Sequence, residues 1–291
     1  MHIYLSRRVI MKFKVLLENT TRSDLIPEHG LSIFIEYNDK KILLDAGTTS
    51  VFIDNARQMN VDINNADFCV LSHGHYDHSG GFAEYLRQNP DKKIYALESV
   101  VDDYYSASGG TIHPIGVPKE VYPAFKKNFI FLDELTKISE GVYAIPHRNT
   151  SELIKIGERA KLYKKIEGEY APDDFSHELS LVFDTKEGLV IFNSCSHGGV
   201  INIIEEVREY FGQDKKVSAF IGGLHMKGKL ENKEICTFSE EEVEIIAKKL
   251  LENNVKKLYS GHCTGIIGYD LIKKYLGDRL EYIYTGKEIE I

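Results

Sequence analysis

Residues 68–81 read Phe-Cys-Val-Leu-Ser-His-Gly-His-Tyr-Asp-His-Ser-Gly-Gly. The apolar start has the length of a buried strand, and the small residues after it make a turn. His73, His75, Asp77 and His78 place three imidazoles and a carboxylate within six residues of that turn. Imidazole nitrogen and carboxylate oxygen are the donors that Zn²⁺ and its first-row neighbours take. A metal cage is therefore preferred over a purely structural role for the four together. A strand is expected to deliver the chain to the site, and the glycines to let a helix begin beside it.

The same pattern recurs three times. Leu189-Val190-Ile191-Phe192 leads through Asn193-Ser194-Cys195-Ser196 to His197. Ala219-Phe220-Ile221-Gly222-Gly223-Leu224 leads to His225, and Leu258-Tyr259-Ser260-Gly261 to His262. In α/β folds the loops at the ends of strands collect ligands. Four such ends can converge, so His197 and His262 are expected to join the first cage. His225, beside two glycines, is expected in the active site as ligand, substrate contact or hydrogen-bond donor, with direct ligation the least favoured. His177 is a reserve ligand, and His29 sits in a Glu-His-Gly turn that can approach the site. His2, His113 and His147 have no comparable setting.

The chain has 291 residues, 43 % of them hydrophobic, with a formal net charge of −8. This suits one α/β domain over residues 1–291. The acidic balance argues against a nucleic-acid or anionic-membrane partner. No apolar run approaches the roughly 20 residues needed to cross a bilayer. Residues 1–10 lack the ordered regions of an export signal and read as a short tail or a start-site artefact ahead of Met11. Cys69, Cys195, Cys236 and Cys263 form no CxxC pair, so reduced thiols and a cytoplasmic location are expected.

Periodicity predicts strands over 12–17, 32–37 and 41–45, the last two joined by an Asn38-Asp39 turn. Helices are predicted over 50–60, 80–88, 199–210, 239–253 and 266–276. Ser239 and Glu242 make a capping box for the fourth of these. Further strands are expected at 66–72, 93–97, 179–184, 189–193, 217–222, 255–260 and 282–284. Residues 99–176 carry scattered Gly and Pro and read as an irregular, lid-like insertion. Its Tyr104, Tyr105, Tyr122, Phe125, Tyr163 and Tyr170 form either a lid for a planar ring or local packing, the second being preferred.

At His73, His75, Asp77 and His78 the chain resembles the metallo-β-lactamase superfamily, whose HxHxDH core is met in full. Glu28-His29-Gly30-Leu31-Ser32, Cys195-Ser196-His197-Gly198-Gly199, Gly222-Gly223-Leu224-His225 and Gly261-His262-Cys263-Thr264-Gly265 are similar to one subgroup. That subgroup is named after a dihydropteroate-synthase-like enzyme of methanopterin biosynthesis. The resemblance spans about residues 12–285. It implies a four-layer αββα sandwich with a dinuclear metal site at one sheet edge. It assigns His73, His75 and His197 to one cation, and Asp77, His78 and His262 to the other. Asp45 matches an aspartate that usually supports the ligands. The loop matched to the superfamily's fourth motif, Asn193 to His197, has no carboxylate to bridge the metals. Cys195 is a candidate for that place, with packing as the preferred alternative.

The expected cofactor is two Zn²⁺, with Mn²⁺ or Fe²⁺ accepted by the same donors. Such a pair generates hydroxide near neutral pH, and Asp77 is best placed to orient the water or move its proton. His75 stands where di-iron flavoprotein relatives carry glutamate, which favours hydrolysis over oxygen reduction. Helix starts expected at Ser79-Gly80-Gly81, His197-Gly198-Gly199 and Thr264-Gly265 point to an anionic small-molecule substrate. The leading reading is a zinc hydrolase of a small phosphorylated or heterocyclic metabolite. A transferase joining a dihydropterin to an aminobenzene ribosyl phosphate is the alternative, and a non-catalytic metal-binding module is a third.

Overall fold

A computed structural model of the chain describes residues 11–108, 110–148, 161–231 and 233–291. The expected N-terminal tail, with His2, and residues 149–160 of the insertion lie outside the described residues.

The chain opens with an antiparallel meander, β1 (Lys12–Leu17), β2 (Ser32–Tyr37) and β3 (Lys40–Leu44). Asn38, at φ 48°, turns β2 into β3. Helix α1 (Val51–Gln58) crosses to β4 (Phe68–Val70), which lies parallel to β3. Two helical pieces follow, α2 (Tyr76–Ser79) and α3 (Phe82–Gln88), then β5 (Ile94–Leu97). After β6 (Tyr104–Ser106) and β7 (His113–Pro114), β8 (Phe129–Leu132) returns to pair with β5.

A second sheet begins with β9 (Thr136–Ser139) and β10 (Val142–Pro146). The hairpin β11 (Leu162–Ile166) and β12 (Glu169–Pro172) joins β6 and β7 in a small sheet of their own. The second sheet resumes with β13 (Leu179–Thr185), β14 (Gly188–Phe192), helix α4 (Val200–Phe211) and β15 (Val217–Ile221). A hairpin of β16 (Lys227–Leu230) and β17 (Lys233–Cys236) precedes α5 (Glu240–Glu252), β18 (Leu258–Ser260), α6 (Gly265–Leu276) and β19 (Leu280–Tyr282). Finally β20 (Glu288–Glu290) pairs with β1 and closes the first sheet.

The sheets run β20-β1-β2-β3-β4-β5-β8 and β19-β18-β15-β14-β13-β10-β9. They pack face to face, as alternation along β13 shows. Leu179, Leu181 and Phe183 join the first sheet's core, while Val182 joins the core under α4 and α5. Edge-to-face rings bridge the two sheets, with Phe13–Phe192 centroids 5.3 Å apart and Tyr37–Phe183 5.1 Å. Helices α1 and α3 cover the outer face of the first sheet through Phe52, Ala56, Phe82 and Leu86. The result is the four-layer αββα sandwich that the resemblance implied.

Residues 99–176 hold more regular structure than their composition suggests. They contain β8, the edge of one main sheet, and β9 and β10 of the other. Pro118 and Pro123 fall in connections, while Pro114, Pro146 and Pro172 each end a strand. Of the six aromatics, Tyr122 lies against Phe129 and Phe131 and Tyr105 against Tyr170, while Tyr104 packs on His177 with ring centroids 4.0 Å apart. The hairpin β16–β17 and strand β20 escape periodicity because they are short and mostly solvent-facing. No described helix is long and apolar enough to cross a membrane.

Candidate metal centre

The parallel strands β3, β4, β14, β15 and β18 end at one edge of the sandwich. Their loops deliver Asp45, His73 with His75, His197, His225 and His262 to one place. Gly222 makes the meeting of β14 and β15 possible. At φ 144° its absent Cβ would fall 1.7 Å from the Asn193 carbonyl oxygen.

His73, His75 and His197 form one group, with ring centroids 4.6–4.9 Å apart. Their ligand atoms all lie within 4.8 Å of one another. Asp77, His78 and His262 form a second. Asp77 Oδ2 is 3.5 Å from His262 Nε2 and 3.8 Å from His78 Nε2, and the two imidazole nitrogens are 3.1 Å apart. Ligands about 2.1 Å from a tetrahedral Zn²⁺ stand roughly 3.4 Å from each other. The expectation that Asp77 and His78 precede the helix is corrected. Helix α2 starts at Tyr76, so both side chains project from its first turn.

The tautomers follow from partners that can only accept. His78 Nδ1 donates to Asp45 Oδ2 at 2.8 Å, and His262 Nδ1 donates to Asn19 Oδ1 at 3.1 Å. Ser72 Oγ gives its proton to Asp45, so His73 Nδ1 donates to Ser72 Oγ at 2.8 Å. In each ring Nε2 is left as a lone pair. Buried Nε2 atoms of His73, His75 and His197 have no hydrogen-bond partner. Such orphaned nitrogens, facing one another in a buried site, fit a divalent cation.

Electrostatics agree. Burial, then neighbouring imidazoles, hold His73 and His197 well below the usual histidine range. Burial and His177 do the same for His75, and burial and His78 for His262. Neutral imidazole is the ligating form. Burial pushes Asp77 up, but His78, His29 and His262 outweigh it and keep the carboxyl below its ordinary range. Burial opposes charge on His78 too, yet Asp77 and Asp45 raise it to about 9. With no cation, a proton on His78 relieves the crowding.

The other histidines sort by their partners. His29 Nε2 lies 3.2 Å from Asp77 Oδ2, and its ring stacks on His262 at 5.6 Å. His225, at φ 47°, packs 4.3 Å from the His197 ring and lines the cavity above the site. His177 is not available as a reserve ligand. Its Nδ1 accepts from Gly74 N–H and its Nε2 donates to Asp173, which fixes the His73–His75 turn. His147 is bound to Glu206 and Ser180 in the interior. Cys195, nearly fully buried, has its Sγ 3.3 Å from His78 Nε2 and lines the cavity.

The three helix starts expected to bind an anion do not stand open. Ser79-Gly80-Gly81 is the joint between α2 and α3, with Gly80 N–H bonded to Tyr76 O. At α4, buried Glu178 accepts from His197 and Gly198 N–H at 2.8 Å each. At α6, Glu234 Oε1 accepts from Ile266 N–H at 2.7 Å. Residues that sequence reading missed are these carboxylates, with Glu18 and Asn19. Glu18 accepts from His262 N–H across 244 residues, and no local pattern signals so distant a partner.

A family model described as the metallo-beta-lactamase superfamily matches residues 25–152. The chain is 25 % identical over 276 residues to the 7,8-dihydropterin-6-methyl-4-(β-D-ribofuranosyl)-aminobenzene-5'-phosphate synthase of Methanocaldococcus jannaschii, covering 90 % of each. It is 30 % identical to an uncharacterized protein of the same organism, covering 75 % of this chain and 81 % of that one. Among solved structures, the metal-dependent hydrolase of the beta-lactamase superfamily Tm1679 superposes with a TM-score of 0.78 at 27 % identity, over 97 % of this chain and 99 % of that one. A diphosphatase of the PhnP family shares the fold, at TM-score 0.58 and 15 % identity over 97 % of each chain. The chain therefore belongs to the metallo-beta-lactamase superfamily.

Proposed function

We propose that this protein is a dinuclear zinc hydrolase of a small phosphorylated or heterocyclic metabolite. The observation that carries the reading is the buried Nε2 atoms of His73, His75 and His197, which have no hydrogen-bond partner, beside Asp77, His78 and His262, whose ligand atoms crowd within 3.1–3.8 Å of one another. His73, His75 and His197 would hold one cation, and Asp77, His78 and His262 the other. When bound, such a pair brings the pKa of water near neutrality and neutralises charge developing on the substrate. Asp77 is ionised and reaches His262, His78 and His29 through Oδ2, so its other oxygen, Oδ1, would orient the attacking water and take its proton. His29, 3.2 Å from Asp77 and half exposed, stands between that carboxylate and solvent, where it would help the proton leave. His225 contacts the substrate from the opposite wall.

Metal analysis with hydrolysis of bis-p-nitrophenyl phosphate tests this reading. Protein purified without chelator should carry close to two transition-metal ions per chain. His75→Ala should lose more activity than the about 10–100-fold typical of a residue that only supports a ligand. Metal-free protein with undiminished turnover would end the proposal. The similarity to the M. jannaschii synthase favours one second reading, transfer of a dihydropterin to an aminobenzene ribosyl phosphate. Turnover only with a pterin diphosphate and that amine acceptor would select it.

A further inference from the structure

The cavity over the two donor groups has a volume of ≈ 610 Å³. Small-molecule sites span roughly 300–1,000 Å³, so this one takes a ligand much larger than the reacting group alone. Its far walls come from the small sheet, at Lys161 and His113, and from the hairpin β16–β17, at Lys227 and Lys229. Their charge is of one sign. Asp77, at the donor end, is the only carboxylate among the described lining residues. In a chain of net charge −8 this is a local inversion.

The hairpin wall is anchored. Glu234 on β17 holds Lys227 Nζ at 3.5 Å with one oxygen and caps α6 with the other. Gly265 lies so close beneath that a Cβ there would stand 3.1 Å from Lys227 Cβ. Lys229 is two residues further along the same strand and therefore on the same face.

We infer that Lys161, Lys227 and Lys229 recognise a second anionic group of the substrate, a phosphate monoester that is not the group hydrolysed. This rests on the hydrolase reading, which places the reacting group among the histidines. A phosphate monoester carries nearly two charges and three acceptor oxygens, and lysines meet it as point charges. With Glu234 offsetting part of Lys227, the wall matches a dianion better than a single carboxylate.

Calorimetry on the metal-loaded protein tests the inference with two probes, benzohydroxamic acid and its para-phosphorylated form. The hydroxamate grips the cations, and only the second probe reaches the lysines. The phosphorylated probe should bind about tenfold more tightly, and Lys229→Ala or Lys161→Ala should each shrink that ratio roughly threefold. The ratio should fall as salt is raised and stay unchanged in Lys248→Ala, on α5. Equal affinity for the two probes in the wild-type protein would overturn the lysine wall. Failure of both to bind would instead overturn the metal reading beneath it.

Discussion

Asp45 shows how one side chain can set the character of a whole site. It is fully buried, and its two oxygens take hydrogen bonds from His78 Nδ1, Ser72 Oγ, Ser72 N–H and Ser194 Oγ. It thereby fixes the tautomer of His78 directly and that of His73 through Ser72. Asp45→Asn keeps the shape, but its NH₂ cannot accept from all these donors. Metal affinity should fall by about 10–100-fold, read by chelator competition. Gly222→Ala is a harsher change, since its Cβ would overlap the Asn193 carbonyl. That variant should separate the His197 and His225 loops, and a loss of both metal binding and thermal stability would register it. The candidate ligands were legible in the sequence because each lies in a loop directly after an apolar run. Their supports were not. Glu178 and Glu18 are ordinary carboxylates that reach the His197 and His262 amides 19 and 244 residues away, and Asp173 holds His177.

At the scale of elements, local chemistry and sequence agree where caps are strong. Ser239 accepts from Glu242 N–H and Glu242 reaches back to Ser239 N–H, the capping box read from the sequence. Ser239→Ala should cost about 1 kcal/mol in urea unfolding. The connection from β3 to β4 is pinned by Asp67, which accepts from Lys41 N–H and Lys40 Nζ. Burial would raise its pKa, but these donors outweigh burial and lower it. A carboxylate held low stabilises the fold above its unfolded pKa near 4, and the contribution drains away as pH falls through the folded value. Asp67→Asn should therefore lose only about 0.5 kcal/mol at pH 7, the site being exposed. Unfolding curves of the two proteins should converge as pH falls below the folded pKa of Asp67. Helix starts were the least legible elements. Glycines after a histidine signal that a helix can begin there, but not that a distant carboxylate already occupies its amides. Short strands such as β7 and β16 likewise offer too few alternating positions for periodicity to register.

Across the whole molecule, the site is where the two sheets and both ends of the chain are joined. The first sheet supplies Asp45, His73, His75, Asp77 and His78, and the second supplies His197, His225 and His262. A cation shared between them acts as a ligand of the folded state only, so its removal should lower stability by mass action. For a chain of this size, chelation should depress the melting temperature by roughly 5 °C or more, recoverable on adding Zn²⁺. The αββα order was legible through the resemblance and through alternation along long strands such as β13. The register between the sheets was not, because it is written in side-chain packing such as Phe13 on Phe192 rather than in any local motif.

The tie between Glu18 and His262 also sets an order of events during biosynthesis. A nascent chain emerging from the ribosome exposes His73, His75 and His78 early, but these lack the remaining donors until residue 262 has been made and its strand docked. The complete site thus exists only once residue 262 has been made and packed against Glu18. Loading of a complete metal site then follows the docking that brings the loop after β18 against the loop after β1.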